Sequence, residues 1–160
     1  MGGPTKYYDY STKNMKHIFS IFYKLLKKHD FQLVVIPSMR TPQRIIDKAR
    51  NFFDDDQIII QDIDKKAYLS SLKLANHIIV TCDSTSMISE AAMSGRPIYV
   101  AQMPAIKKNI RFKKFFELFK SLEIIKNLGD GVEEWNYKKL NETDRISGYI
   151  EKQFKDYDFS

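Results

Sequence analysis

Three short polar stretches carry the groups best suited to hold an anion. Gly2-Gly3-Pro4-Thr5-Lys6 sets adjacent glycines, which allow close backbone approach, beside a lysine point charge. Ser38-Met39-Arg40-Thr41 supplies a guanidinium, whose planar fork can hold two phosphate oxygens at once. Asp83-Ser84-Thr85-Ser86 leads into Met87, Ile88, Ala91 and Ala92 at helical spacing. The hydroxyls therefore stand at a helix N-terminus, where free N–H groups and the helix dipole favour negative charge. Glu90 follows Ser86 by four residues, so both lie on one helix face. A carboxylate on so apolar a helix needs a partner. A pair of ribose hydroxyls suits it, with a diphosphate held one turn earlier. Each group also has an ordinary reading: Gly-Gly is a turn, Ser and Thr are N-caps, Arg40 is solvated, and Glu90 is exposed or paired with a lysine. Their coincidence is more telling than any one of them.

The elements between these stretches alternate. Met15, Ile18, Phe19, Phe22 and Leu26 follow helical periodicity, with Ser11 or Thr12 as cap and Asp30 as the end. Phe31 to Ile36 is an apolar, β-branched run closed by Pro37, which reads as a buried strand. Pro42 then starts a helix with the stripe Ile45, Ile46, Ala49, Phe52 and Phe53, broken by Asp54-Asp55-Asp56. A short strand from Gln57 to Gln61 follows, then a helix marked by Tyr68, Leu69, Leu72 and Ala75. His77 to Thr81 and Pro97 to Ala101 are two more strands, separated by the polar turn Cys82 to Ser86, a helix carrying Met87, Ile88, Ala91 and Ala92, and its terminator Gly95. Phe112, Phe115, Phe116 and Phe119 form a helical aromatic stripe, and a closing helix occupies 142–157. Strands joined by helices imply parallel crossovers: an α/β, Rossmann-like parallel sheet with helices on both faces. In such sheets ligands bind beyond the carboxyl ends of the strands, which is where the three polar stretches fall. A glycine loop there ordinarily follows a first strand, and no apolar run precedes Gly2. The expectation is a sheet lacking its first strand, and an isolated chain prone to aggregation.

Composition bounds the rest. At 160 residues, this is one domain or half of a two-lobed protein. The 43% hydrophobic and 13% aromatic content is too high for a disordered tail. One cysteine excludes a disulfide framework and a cysteine-based zinc site, and three scattered histidines argue against a His-rich one. Cys82, beside Asp83 with no histidine near it in sequence, reads as a small buried hydrophobe rather than a nucleophile. No apolar stretch approaches a membrane span and no signal peptide opens the chain, so a cytoplasmic location is expected. The net charge of +6 favours anionic partners. Nucleic acid ranks last among them, because basic and aromatic residues do not interleave as single-strand platforms require. Lys113, Lys114 and Lys120 beside the Phe stripe are compatible with a peripheral membrane contact, although such a stripe is more often core.

The motifs GGPTK at the start, VIPSMRTP at 35–42 and ANHIIVTCDSTSMISEAAMSGRPIYV at 75–100 resemble the elongated-mitochondria (mitochondrial fission ELM) family, also described as glycosyltransferases. RF at 111–112 and EWNYKKLNETDRI at 134–146 fit the same family's tail. The resemblance is to the C-terminal half and covers nearly the whole chain. It implies the C-terminal lobe of a GT-B glycosyltransferase, with residues 1–160 as a single nucleotide-sugar-binding domain. By position, Glu90 takes the donor ribose. Gly3, Ser84, Thr85 and Ser86 hold the diphosphate, with Ser38 and Asp83 in the same loops. Arg40 and Lys6 offset leaving-group charge. No metal or cofactor is implied; the nucleotide-sugar is a donor substrate. The N-terminal lobe would supply the acceptor site, with a glycolipid or membrane-borne acceptor, and the fragment alone would be inactive. The 142–157 helix, Trp135 and Tyr137 would reach across to that lobe. The alternative on the same fold is a non-catalytic fission-type adaptor or membrane-surface binding protein.

Overall fold

Ser11 opens the first helix, α1 (Thr12–Lys28), where its side chain accepts the Asn14 N–H. Met15, Ile18, Phe19, Phe22 and Leu25 then form one buried stripe along it. His29 caps α1, one residue before the expected stop at Asp30. The architecture comes from a computed structural model that describes residues 1–129 and 131–155. After α1 come β1 (Val34–Val35), α2 (Gln43–Arg50), β2 (Ile58–Ile59), α3 (Lys65–Leu74) and β3 (Ile78–Thr81). The chain continues through α4 (Thr85–Ala92), β4 (Ile98–Ala101), α5 (Ile110–Ser121), β5 (Ile125–Asn127) and α6 (Glu142–Lys155). Residues 156 and 157 of the expected closing helix lie outside the described residues.

Among the described residues the strands β1 to β5 pair in parallel. β1 pairs with β2, Val34 opposite Ile58, while β3, β4 and β5 form a second sheet in that order. The fold is α/β and Rossmann-like, with one apolar core running from Met15 and Ile45 through Val80, Ile88 and Val100 to Phe119. The central strands β3 and β4 read clearly because both are buried throughout or nearly so. The Phe stripe turns inward: Phe119 is buried, and Phe115 and Phe116 pack against the core. Trp135 and Tyr137 are half-buried and bond within this domain. The Trp135 indole donates to the Glu123 carbonyl at 2.8 Å and packs edge-on against Tyr99, and the Tyr137 hydroxyl donates to the Arg96 carbonyl at 3.0 Å. Among the described residues no helix is long and apolar enough to cross a membrane.

The strand expected over Phe31–Ile36 is paired only at Val34–Val35, and that over Gln57–Gln61 only at Ile58–Ile59. A slot between β1 and β3 accounts for the first. The Leu33 and Val35 carbonyls accept from Ile58 and Ile60, so alternation turns the Val34 and Ile36 groups away from β2. Likewise Ile78 and Cys82 donate to Pro97 and Ala101, which turns the Ile79 and Thr81 groups away from β4. Phe31 and His77 meet at one end of this slot, with ring centroids 5.4 Å apart. Met1 to Gly3 closes the other end. The Met1 ammonium donates to the Ile36 carbonyl at 2.6 Å and the Ser38 N–H donates to the Met1 carbonyl at 3.0 Å, the bond pattern of a residue in parallel register with Pro37.

Enclosure lowers the Met1 amine pKa from 8.0 to about 6, with the Asp83 charge opposing the shift. Between pH 8 and 6 the unfolded chain takes up this proton and the folded chain resists it. Stability is therefore expected to fall by roughly 2–3 kcal/mol as the pH drops through that window. Urea unfolding at several pH values checks this, and N-acetylation should flatten the dependence. Equal slopes with and without the acetyl group would refute it.

Candidate phosphate site at the carboxyl edge

The strands form two sheets, β1–β2 and β3–β4–β5, and the Met1–Gly3 segment bonds to the ends of both, at Ile36 and at Thr81, so the two halves of the chain build outward from it. Open α/β sheets bind ligands at such a switch point, outside the carboxyl ends of the strands. Here the loops after β1 and β3 meet the Gly2-Gly3 segment. The Gly2 N–H donates to the Thr81 hydroxyl and the Gly3 N–H to Asp83 Oδ2, both at 2.8 Å. The Arg40 guanidinium donates to the same Asp83 oxygen at 3.0 Å and to the Gly3 carbonyl at 3.2 Å. The Thr41 and Tyr10 hydroxyls donate to the Gly2 carbonyl at 2.6 and 2.9 Å. Burial, reinforced by Asp83, raises the Tyr10 pKa, so its proton stays in place.

Both glycines are needed for close approach. A Cβ on Gly2 would run into the Asp83 carboxylate, and one on Gly3 into the Arg40 backbone. The expectation that these glycines admit a phosphate meets a different geometry: their N–H groups already serve the protein's own side chains. Ser38 is half-buried and shapes the loop, its N–H donating to the Thr41 hydroxyl at 2.9 Å and its hydroxyl accepting from the Arg40 N–H at 3.3 Å. Asp83 is buried with a side-chain exposure of 0%, and its Oδ1 has no hydrogen-bond partner. Arg40 keeps 46% of its side-chain surface exposed while anchored on Asp83.

Along α4 the hydroxyls separate. Ser84 is buried as the N-cap, accepting from the Met87 N–H at 3.4 Å. Thr85 is half-buried and Ser86 exposed. Glu90, also exposed, accepts the Tyr68 hydroxyl of α3 at 2.6 Å, so it has a partner that sequence spacing does not reveal. Desolvation and that bond raise the Tyr68 pKa, which keeps the phenol protonated as donor. Cys82 is fully buried and its thiol is pushed up to about 12 by desolvation, which leaves it inert as a nucleophile.

Lys6 does not join Arg40. It lines a separate hollow with Tyr7, Lys107, Lys108, Asn109, Ile110 and Arg111. An antiparallel bridge between Tyr8 and Ala105, with the Ile106 N–H donating to the Tyr7 carbonyl at 2.8 Å, brings these distant segments together. Sequence reasoning noted Arg111 only within the RF pair at 111–112 and passed over Lys107 and Lys108, because a short Lys/Arg run ordinarily means a solvated surface.

An uncharacterized protein of Rickettsia prowazekii, RP120, is 28% identical over 162 residues, covering 97% of this chain and 46% of that protein. The mitochondrial fission protein ELM1 of Arabidopsis thaliana is 31% identical over 93 residues, covering 54% of this chain and 20% of that protein. The chain thus spans less than half the length of these curated relatives. No solved structure matches it. The family model of mitochondrial fission ELM1 matches residues 1–154, and the chain belongs to that family.

Proposed function

We propose that this chain is the donor-binding half of a metal-independent glycosyltransferase, taking a nucleotide-diphosphate sugar at the carboxyl edge of its sheet. The observation that carries the reading is the meeting of Gly3, Arg40 and Asp83 at the switch point, beside the N-terminus of α4. Asp83 holds one edge of the Arg40 guanidinium, and its remaining exposed donors face a diphosphate at Thr85 and Ser86. Arg40 then stabilises negative charge on the departing nucleoside diphosphate, work that a preorganised cation does well. Glu90 accepts from the ribose hydroxyls, with Tyr68 holding its other oxygen. The acceptor site and the catalytic base belong to a second lobe, and a glycolipid acceptor would bring the protein to a membrane surface.

Titration of the chain with uridine, guanosine and cytidine diphosphate sugars tests the reading; binding of none of them overturns it. In the variant Glu90→Ala, nucleotide affinity is expected to weaken by about 1–3 kcal/mol, the cost of losing a charged hydrogen-bond partner. Unchanged affinity in that variant would return Glu90 to a structural pairing with Tyr68. The second reading, a non-catalytic adaptor at a membrane surface, draws on the fission name of the Arabidopsis relative and on Ile106 and Ile110, which stand 65% and 72% exposed among lysines.

A further inference from the structure

We infer that the hollow lined by Lys6, Lys107, Lys108 and Arg111 is a binding site for a phosphate or diphosphate group. The first observation is uncompensated charge. Four cations from two segments about a hundred residues apart line one hollow of about 300 Å³, with no carboxylate among the lining residues. Among the described residues none of the four enters an ion pair. The nearby carboxylates are engaged elsewhere: Asp9 accepts the Ser11 N–H at 3.1 Å, and Glu117 pairs with Lys113 at 3.7 Å. Bringing like charges together costs energy, which a bound anion offsets.

The second observation is shape. A neighbouring hollow of about 350 Å³ shares Tyr7, Asn109 and Arg111 with the first and runs past Phe112 and Phe115 to Thr85. The groove is therefore cationic at one end, aromatic in the middle, and ends at the first turn of α4. That sequence of surfaces fits a molecule with a phosphate head and an apolar or ring-bearing body. The N-terminus of α5 is not what carries the inference, since the Asn109 side chain already accepts the Arg111 and Phe112 N–H groups at 3.0 and 3.4 Å. The side-chain charges carry it. Tyr7 pairs with Lys6 through its ring, 5.3 Å from the ammonium to the centroid, and with Phe112 at 5.5 Å, so one aromatic wall serves both hollows.

The inference rests on the donor reading only in using the same edge of the sheet. Inorganic pyrophosphate, which has neither base nor sugar, therefore tests the hollow by itself. A soluble diphosphate and a lipid phosphate share this chemistry, and two arms separate them: calorimetric titration with pyrophosphate, and co-sedimentation with vesicles of phosphatidic acid in phosphatidylcholine against phosphatidylcholine alone. Saturable binding is expected in at least one arm at 0.15 M salt, and which arm responds names the source. The double variant Lys107→Gln/Arg111→Gln should weaken that binding at least tenfold, with its circular dichroism unchanged because all these side chains are exposed. Lys113→Gln/Lys114→Gln, on the same helix outside the hollow, should change it less than twofold. Absence of binding in both arms overturns the inference, as does equal loss in the two double variants, which would mean diffuse charge attraction. Sugar-nucleotide binding that survives Lys107→Gln/Arg111→Gln, with pyrophosphate binding lost, would keep the donor diphosphate at Arg40 and make the hollow a separate anion site.

Discussion

A strand of five or six apolar residues joined ahead of Met1 is expected to raise the unfolding free energy of this chain by about 3–5 kcal/mol. The slot between β1 and β3 has backbone groups of Val34 and Ile36 on one side and of Ile79 and Thr81 on the other. Met1 already makes the parallel bonds that would continue such a strand, so register is set in advance. Each ladder bond contributes roughly 1 kcal/mol net. Three buried polar atoms without partners fit the picture: His29 Nε2 and His77 Nδ1 lie at the end where Phe31 stacks on His29 and tilts against His77, and Asp83 Oδ1 lies at the other. Extension also converts the enclosed Met1 amine to an amide, which carries no charge to desolvate. Without extension the exposed edges should show as concentration-dependent aggregation. The check is urea unfolding of the 160-residue chain against the extended one. Cooperative, reversible unfolding of the short chain with no gain on extension would show that the two sheets need nothing between them.

How much of this could be read from the sequence depends on whether a feature is local. Helices α1, α2, α4 and α5 announce themselves because one apolar stripe meets one core, as Met15 to Leu25 does in α1. Strands β3 and β4 are legible because both faces are covered, which demands continuous β-branched runs. Strand β5 was missed: Ile125-Lys126-Asn127 has one buried residue, and an edge strand of this length leaves no periodic trace. At the site, residue types were legible and their engagements were not. Asp83, Arg40 and Gly3 come from three separate loops, and only the fold shows that they satisfy one another. Lys6 looked like a companion of Arg40; the Tyr8–Ala105 bridge carries it instead to Lys107, Lys108 and Arg111. Nothing in local sequence encodes such a bridge.

The buried Asp83 carboxylate leads to an expected result that runs against simple counting of lost contacts. Arg40→Ala should destabilise the chain more than Asp83→Asn, although both break the same ion pair. In Arg40→Ala a fully buried carboxylate keeps the Gly3 N–H but loses its guanidinium, and stranding a buried charge costs about 3–5 kcal/mol. In Asp83→Asn the stranded partner is a guanidinium with nearly half its surface in solvent, and the amide oxygen can still accept from Gly3. That change should cost about 1–2 kcal/mol, in line with the loss of one charge-assisted bond. Asp83→Ala adds an orphaned Gly3 N–H and should fall near 3 kcal/mol. Combining Arg40→Ala with Asp83→Asn removes the stranded charge, so the double variant should recover part of the loss and be more stable than Arg40→Ala alone. A double-mutant cycle of unfolding free energies measures this coupling directly. Additive losses would mean that Asp83 and Arg40 are not energetically paired, and that the glycine segment is held chiefly through Gly2 by Thr81, Thr41 and Tyr10.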